Sequence, residues 1–296
     1  MPDFKVPEAI PAAISVKDFL RHHAGISLTV WRKIKHTGSI AVNNHPVVNY
    51  ALVKPGDIIT VTWKQDCAIP ATPLPLQISY EDDSMLIIDK PAGILVHPTK
   101  ITDTDTLANA VMFYYQQCGF SYGFHPVHRL DRNTSGLVLI AKSPHIQYLL
   151  SRDNVKALQR VYEAVVSGSP EPSAGMINLP IGRAPNSIIQ RMVRSDGQKA
   201  ITSYHVIKSF TAASLIELEL FTGRTHQIRT HLSYLGHPLL GDDLYGGSNQ
   251  LICRQALHAA QLSFTHPLTH KAIQIRSPLP NDMRKLLFQL SKEVSN

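Results

Sequence analysis

Apolar residues near the N-terminus recur twice at helical spacing. Ser15 and Asp18 have the form of a capping box ahead of Phe19 and Leu20, and Gly25 offers a stop, which predicts a short helix from Ser15. From Ser27 a second helical stretch keeps Leu28, Val30, Trp31 and Ile34 in register, while Arg32, Lys33, Lys35 and His36 fill much of the rest up to Gly38. The period then shortens. Residues 39–42 read as a strand, Asn43-Asn44 as its turn, and the alternation Ile59, Val61, Trp63 as another strand behind the Pro55-Gly56-Asp57 turn. Residues 15–65 therefore form one small unit of two helices and a sheet. The first 14 residues carry three prolines and no period, and are expected to be a loose arm.

Three prolines in residues 66–75 mark a linker, and residues 76–296 read as a larger domain. Strands are predicted at 77–80 and 85–89 around the Glu81–Ser84 turn, then at 136–141, 161–166, 200–207 and 215–221. Helices are predicted at 106–116, from about Ser143, and at 225–235. In the second half strands follow one another with few helices between them. The expected class is therefore α+β, a mixed and mainly antiparallel sheet with flanking helices, preceded by the small α/β module.

Composition narrows the partners. The chain of 296 residues has a net charge of +7, and five of those charges lie in residues 15–65, where seven basic side chains face only Asp18 and Asp57. A polyanion suits that end of the chain, and so does a plain solvated helix face. Cys67, Cys118 and Cys253 are odd in number and widely spaced, which argues against a disulfide framework or a cysteine zinc site and fits a reducing, cytoplasmic setting. The start is broken by prolines and acidic residues, and no segment nears the ~20 apolar residues of a membrane span.

The densest polar cluster runs from His125 through His128, Arg129, Asp131, Thr134 and Ser135 to Gly136, directly before an apolar strand. Local chemistry alone favours a side-chain-capped turn there. By the same measure Tyr162 is as well read as a core aromatic of its strand, and Arg129 as a structural ion-pair partner.

The string His128-Arg129-Leu130-Asp131, with Thr134-Ser135-Gly136, resembles the hallmark of the RluA-type pseudouridine synthases. Lys90-Pro91-Ala92-Gly93, His97-Pro98, Arg160-Val161-Tyr162, Thr222 to Arg229, Gly236-His237-Pro238, Gly241-Asp242 and Leu257-His258-Ala259 look like that family's other motifs, in family order, over about residues 76–280. The first unit, residues 15–65, looks like the small RNA-binding module of ribosomal small-subunit proteins and bacterial tyrosyl-tRNA synthetases, which would offer Arg32, Lys33 and Lys35 to RNA. The family resemblance implies isomerisation of uridine in RNA, without metal or other cofactor. It implies Asp131 as the catalytic carboxylate, Tyr162 as the aromatic on the target base, and Arg224 as the cation that pairs with Asp131 and holds it ionised. It also implies that the target is flipped out of its RNA, with Arg129 and Ile228 among the contacts. Arg160 stands where the family commonly has lysine, which keeps the charge. Ribosomal RNA of the large subunit is the expected partner, transfer RNA the alternative, and the protein is expected to work as a monomer.

Two other enzyme classes fit less well. His-Arg-x-Asp occurs in kinase catalytic loops, but no GxGxxG precedes it and no Asp-Phe-Gly follows. The pairs His125/His128 and His226/His231 raise a metal hydrolase, yet neither carries the HExxH glutamate or a clear third ligand. A non-catalytic RNA-binding or ribosome-assembly factor would be favoured by loss of Asp131, Tyr162 or Arg224, and all three are present.

Overall fold

Two adjacent residues with positive φ, Asn43 (50°) and Asn44 (66°), make the tight turn that pairs Gly38–Val42 with His45–Pro46. Asn43 is locked there, its Nδ2 donating to Asp57 Oδ1 at 2.9 Å and its Oδ1 accepting from the Ile58 amide at 2.9 Å. In this computed structural model, which describes residues 3–10, 14–26, 28–63, 69–100, 102–152 and 158–293, the hairpin belongs to a four-stranded antiparallel sheet completed by Ile58–Trp63 and Asp3–Lys5. The helix Leu28–Thr37 buries Val30, Trp31 and Ile34 against Ile40, Ile59 and Val61, and leaves Arg32, Lys33 and Lys35 exposed. The helix expected at residue 15 begins as predicted, the Ser15 hydroxyl accepting from the Asp18 amide, but becomes a π-type turn over Phe19–His23 before Gly25.

The expectation of a loose arm is corrected. Asp3–Lys5 pairs with Ile58–Thr60, Val6 is fully buried, and Phe4 meets the His145 ring edge-on at 5.2 Å. A strand this short carries no periodic signal; the main-chain bonds it gains along an open sheet edge order it. Residues 64–68, the end of the predicted module and the start of the predicted linker, lie outside the described residues, as does Ser27. Beyond them the Thr72 amide donates to Asn109 O, and Asn109 Nδ2 donates to Pro70 O, which ties this segment to the helix Leu107–Gln117.

The rest of the chain builds a ten-stranded sheet. Its main path runs Ala174–Asn178, Ile201–Ser209, Ala213–Leu220, Leu158–Ser167, Leu257–Thr265, Ser135–Ala141, Met85–Lys90, Ile78–Glu81. Every pairing is antiparallel except one, where Ser135 and Gly136 run parallel to His258 and Ala259. Past that contact the same edge of Leu257–Thr265 is taken by Ala272–Arg276. Both faces are covered: Leu107–Gln117 on one, Pro144–Arg152 and Asn281–Glu293 on the other. Double coverage is why Met85–Ile88 and Leu137–Ala141 are uninterrupted apolar runs rather than alternating ones.

Several elements are additional to those expected: the strands Ala174–Asn178, Ile181–Arg183, Arg191–Val193, Leu257–Thr265 and Ala272–Arg276, and the helix Asn281–Glu293, whose Met283, Leu286, Leu287 and Leu290 keep helical spacing. The central one, Leu257–Thr265, holds His258 and Gln261 in the body of a sheet, and its partner strand slips register between Val161 and Tyr162, so no simple alternation survives.

Gly136 sits where the parallel strands cross, at φ 110°, and a Cβ there would lie 2.3 Å from the Ala259 carbonyl oxygen. Only glycine fits both the dihedral and the space. Gly136→Ala is expected to destabilise the protein by about 3 kcal/mol or more, read as a lowered urea midpoint with unchanged slope; a change within about 0.5 kcal/mol would contradict this reading.

Candidate active site

The loop from Val127 to Thr134 leaves the strand His125–Pro126 and enters Ser135–Ala141, and its backbone is fastened at two places. Lys90, 0% exposed, donates from Nζ to the carbonyls of Pro91 (2.8 Å), Ile94 (3.0 Å) and Arg132 (3.0 Å). Burial, with the Arg254 charge, pulls its pKa down to about 7 against the opposing pull of Asp131. Arg254, paired with Asp282 at 2.6 Å, donates to the Asn133 carbonyl at 3.1 Å and to Ser135 Oγ at 3.3 Å. Ser135 Oγ also lies 3.0 Å from His258 Nδ1, Gln255 Nε2 donates to Thr134 Oγ1, and the Thr134 amide closes the turn onto the Asp131 carbonyl. Thr134, Ser135 and Gly136 thus hold the loop, and Asp131 is left partly exposed at its tip.

The cleft there is about 650 Å³, and Asp131, Tyr162, Arg129, Ile228, Arg224 and His97 are among its lining residues. Oδ2 of Asp131 faces Arg229 Nη1 at 3.3 Å and His226 Nε2 at 3.8 Å. Oδ1 accepts no hydrogen bond from any of the described residues. Tyr162, 5% exposed, follows the slip in strand register, and burial raises its phenol pKa against the opposing Arg160 charge. The buried atoms His97 Nδ1, His128 Nδ1 and Arg160 Nε have no hydrogen-bond partner among the described residues, and all three side chains line the same cleft.

The pairing expected between Arg224 and Asp131 is not the one that forms. Arg224 is exposed and its Nε donates to the Lys199 carbonyl at 3.1 Å, while its amide donates to Gln227 Oε1. The cation on Asp131 is Arg229, held by Asp242 through Nε–Oδ2 and Nη2–Oδ1 contacts of 2.7 Å each, with its guanidinium 4.9 Å from the centre of the Tyr245 ring. The reason is geometric. Arg224 precedes the turn at His226 and stays near the end of the strand Ala213–Leu220, whereas Arg229 sits in the first turn of the helix Gln227–Tyr234 and is buried. Asp242 is itself enclosed in the fold, so its carboxylate must be met by a cation, and Arg229 meets it.

Arg129 is exposed at the rim, Ile228 is buried in the wall, and Arg32, Lys33 and Lys35 are not among the cleft residues. Three of the four paired histidines are spent separately. His231 bonds to Thr202 Oγ1 and the Leu179 carbonyl, His226 to Tyr245, and His128 Nε2 accepts the Leu139 amide, its pKa driven down to about 3 by burial and the Arg160 charge.

Arg229→Gln is expected to destabilise the protein by about 3–5 kcal/mol, because Asp242 loses its counter-charge in the interior. Arg224→Gln should stay within about 0.5 kcal/mol. Chemical denaturation of both variants decides it, and equal effects would show that the Arg229 pair is not the one that counts.

Comparison with known proteins adds the family. A profile described as RNA pseudouridylate synthase matches residues 84–234. The chain is 43% identical over 269 residues to the uncharacterized RNA pseudouridine synthase YjbO of Bacillus subtilis (strain 168), covering 89% of this chain and 95% of that protein. It is 37% identical over 279 residues to ribosomal large subunit pseudouridine synthase D of Vibrio cholerae, covering 87% and 85%. The solved structure of human RNA pseudouridylate synthase domain containing 4 superposes with a TM-score of 0.58 at 26% identity, covering 73% of this chain and 93% of that one. A mixed sheet of the same fold and this extent of sequence identity place the chain in the RNA pseudouridylate synthase family, as an RNA-modifying isomerase.

Proposed function

We propose that the chain converts specific uridines of large-subunit ribosomal RNA to pseudouridine, with Asp131 at the centre of the chemistry. The observation that carries this reading is the half-open carboxylate: one oxygen of Asp131 is fixed by Arg229, the other is unclaimed among the described residues, and both stand in a cleft with a buried aromatic, Tyr162. The reaction breaks the N1–C1′ bond, turns the uracil, forms C5–C1′ and releases the C5 proton while N1 gains one. Every route through it needs a group that can bond or move a proton and then leave unchanged, which a carboxylate does. A base stacked in duplex RNA cannot reach Asp131, so the target is flipped into the cleft, and exposed Arg129 at the rim is placed to brace the vacated stack. Burial raises the pKa of the Tyr162 phenol, and its ring is available to pack against the uracil.

Large-subunit RNA is favoured by the relative from Vibrio cholerae and by the exposed basic face Arg32, Lys33, Lys35. A cell carrying Asp131→Asn should lose pseudouridines from that RNA. The purified variant should release tritium from 5-tritiated uridine RNA more than about a thousandfold slower than wild type, with RNA binding retained. Pseudouridines missing only from transfer RNA would move the substrate; wild-type release by the variant would sink the assignment of Asp131. Exchanging Arg32, Lys33 and Lys35 together for glutamine is expected to weaken RNA binding and lower the slope of log affinity against log salt by about 2–3, while saturated turnover stays unchanged. An unaltered slope would remove this face from the RNA contact.

A further inference from the structure

We propose that Tyr245 is a positioning residue, whose hydroxyl fixes the His226 ring with its Nε2 proton toward Asp131 and anchors that arrangement to the hairpin Ile181–Val193. The inference rests on the reading of Asp131 as the reacting carboxylate.

Tyr245 ends the short turn Asp243–Tyr245, directly after Asp242, and is buried. Its oxygen accepts the Arg191 amide from the hairpin at 2.9 Å and lies 2.9 Å from His226 Nδ1. A phenol has one proton to give, and His226 Nδ1 is the acceptor placed to receive it. That leaves the His226 proton on Nε2, the atom 3.8 Å from Asp131 Oδ2. The opposite tautomer would turn a lone pair toward the carboxylate and would leave the Tyr245 proton only the neighbouring Thr230 hydroxyl, which is not in hydrogen-bond geometry with any of the described residues. Burial lowers the His226 pKa against the pull of Asp131, in keeping with a neutral ring.

The backbone is arranged to keep that ring in place. His226 has φ 56° and ψ 23°, a left-handed conformation that a residue with a Cβ holds only where its surroundings fix it. The same Tyr245 ring lies edge-on to His226, 5.7 Å between centroids, and under the Arg229 guanidinium. One side chain therefore braces both groups that face Asp131 Oδ2. On the hairpin side Gln190 Nε2 donates to the Leu244 carbonyl at 3.2 Å, a second tie beside the Arg191 bond.

Tyr245→Phe keeps the ring and removes only the hydroxyl. Nitrogen-15 NMR of histidine-labelled full-length protein, with the His226 signals assigned by their loss in His226→Ala, is expected to show the Nε2-protonated tautomer in wild type. In Tyr245→Phe it should show a mixed population. Turnover is measured on 5-tritiated total RNA from cells lacking the gene, which holds every RNA class the enzyme could modify. Tyr245→Phe should lower kcat by about tenfold to a hundredfold with KM unchanged. The double variant with His226→Ala should be no slower than His226→Ala alone. An unchanged tautomer, or losses that multiply in the double variant, would overturn the proposal. Absence of release by wild type on this RNA would instead strike the functional reading, with the tautomer measurement still deciding the role of Tyr245.

Discussion

The guanidinium of Arg229 is the constraint on which the rest of the site depends. It is a buried cation, and taking it out of water is costly unless it is paired and hydrogen-bonded. Asp242 meets two of them side by side, Asp131 a third, and the Tyr245 ring covers its face. Lysine could offer neither the fork nor the flat face. Three segments are fixed by this one group: the helix Gln227–Tyr234, the turn at Gly241–Asp242 and the loop bearing Asp131, the last 98 residues away in sequence. The arginine therefore sets the separation of the helix from the loop as much as it sets the charge beside the carboxylate.

The loop in turn can present Asp131 because its backbone is immobilised from below. Lys90 gathers carbonyls from two loops, Arg254 clamps the residues just after Asp131, and Gly136 lets the strand pass against Ala259 with no side chain between. Each of these groups is buried or packed, so their effect is on position, and none competes with a ligand for the cleft. The polar letters around Asp131 read locally as a side-chain-capped turn, but the turn is closed by the Thr134 amide on the Asp131 carbonyl, while the Thr134 and Ser135 hydroxyls bond away from it, to Gln255 and His258.

How much of this the chain reveals before folding follows from range. Strands with an apolar run, such as 136–141, and helices with a clear apolar stripe are legible because their signal is local. Leu257–Thr265 is not, because its polar His258 and Gln261 are satisfied by Ser135, the Ser277 carbonyl, Ser263 and Arg276, partners that no window around residue 260 contains in full. Asp3–Lys5 is ordered by the distant strand edge Ile58–Thr60. Arg224 and Arg229 pose the same difficulty in miniature. Both lie in the one motif Thr222 to Arg229, both are arginines, and only the left-handed turn at His226 between them decides which reaches the carboxylate.

The two oxygens of Asp131 are not equivalent, and under the proposed function this asymmetry links fold to chemistry. Oδ2 faces a fixed cation and an imidazole whose partners lie deeper in the protein, so its surroundings need not rearrange as charge shifts during a reaction. Oδ1 has no such partner among the described residues and lines the open cleft. A carboxylate held at one oxygen keeps its orientation while the other forms or releases a bond. A carboxylate held at both would be a structural ion pair, and one held at neither would lose the alignment on which the reaction rate depends. The fold supplies the intermediate case through an arginine whose other two contacts go to the enclosed carboxylate of Asp242, so that Arg229 stays in place whether Asp131 is free, bonded or protonated.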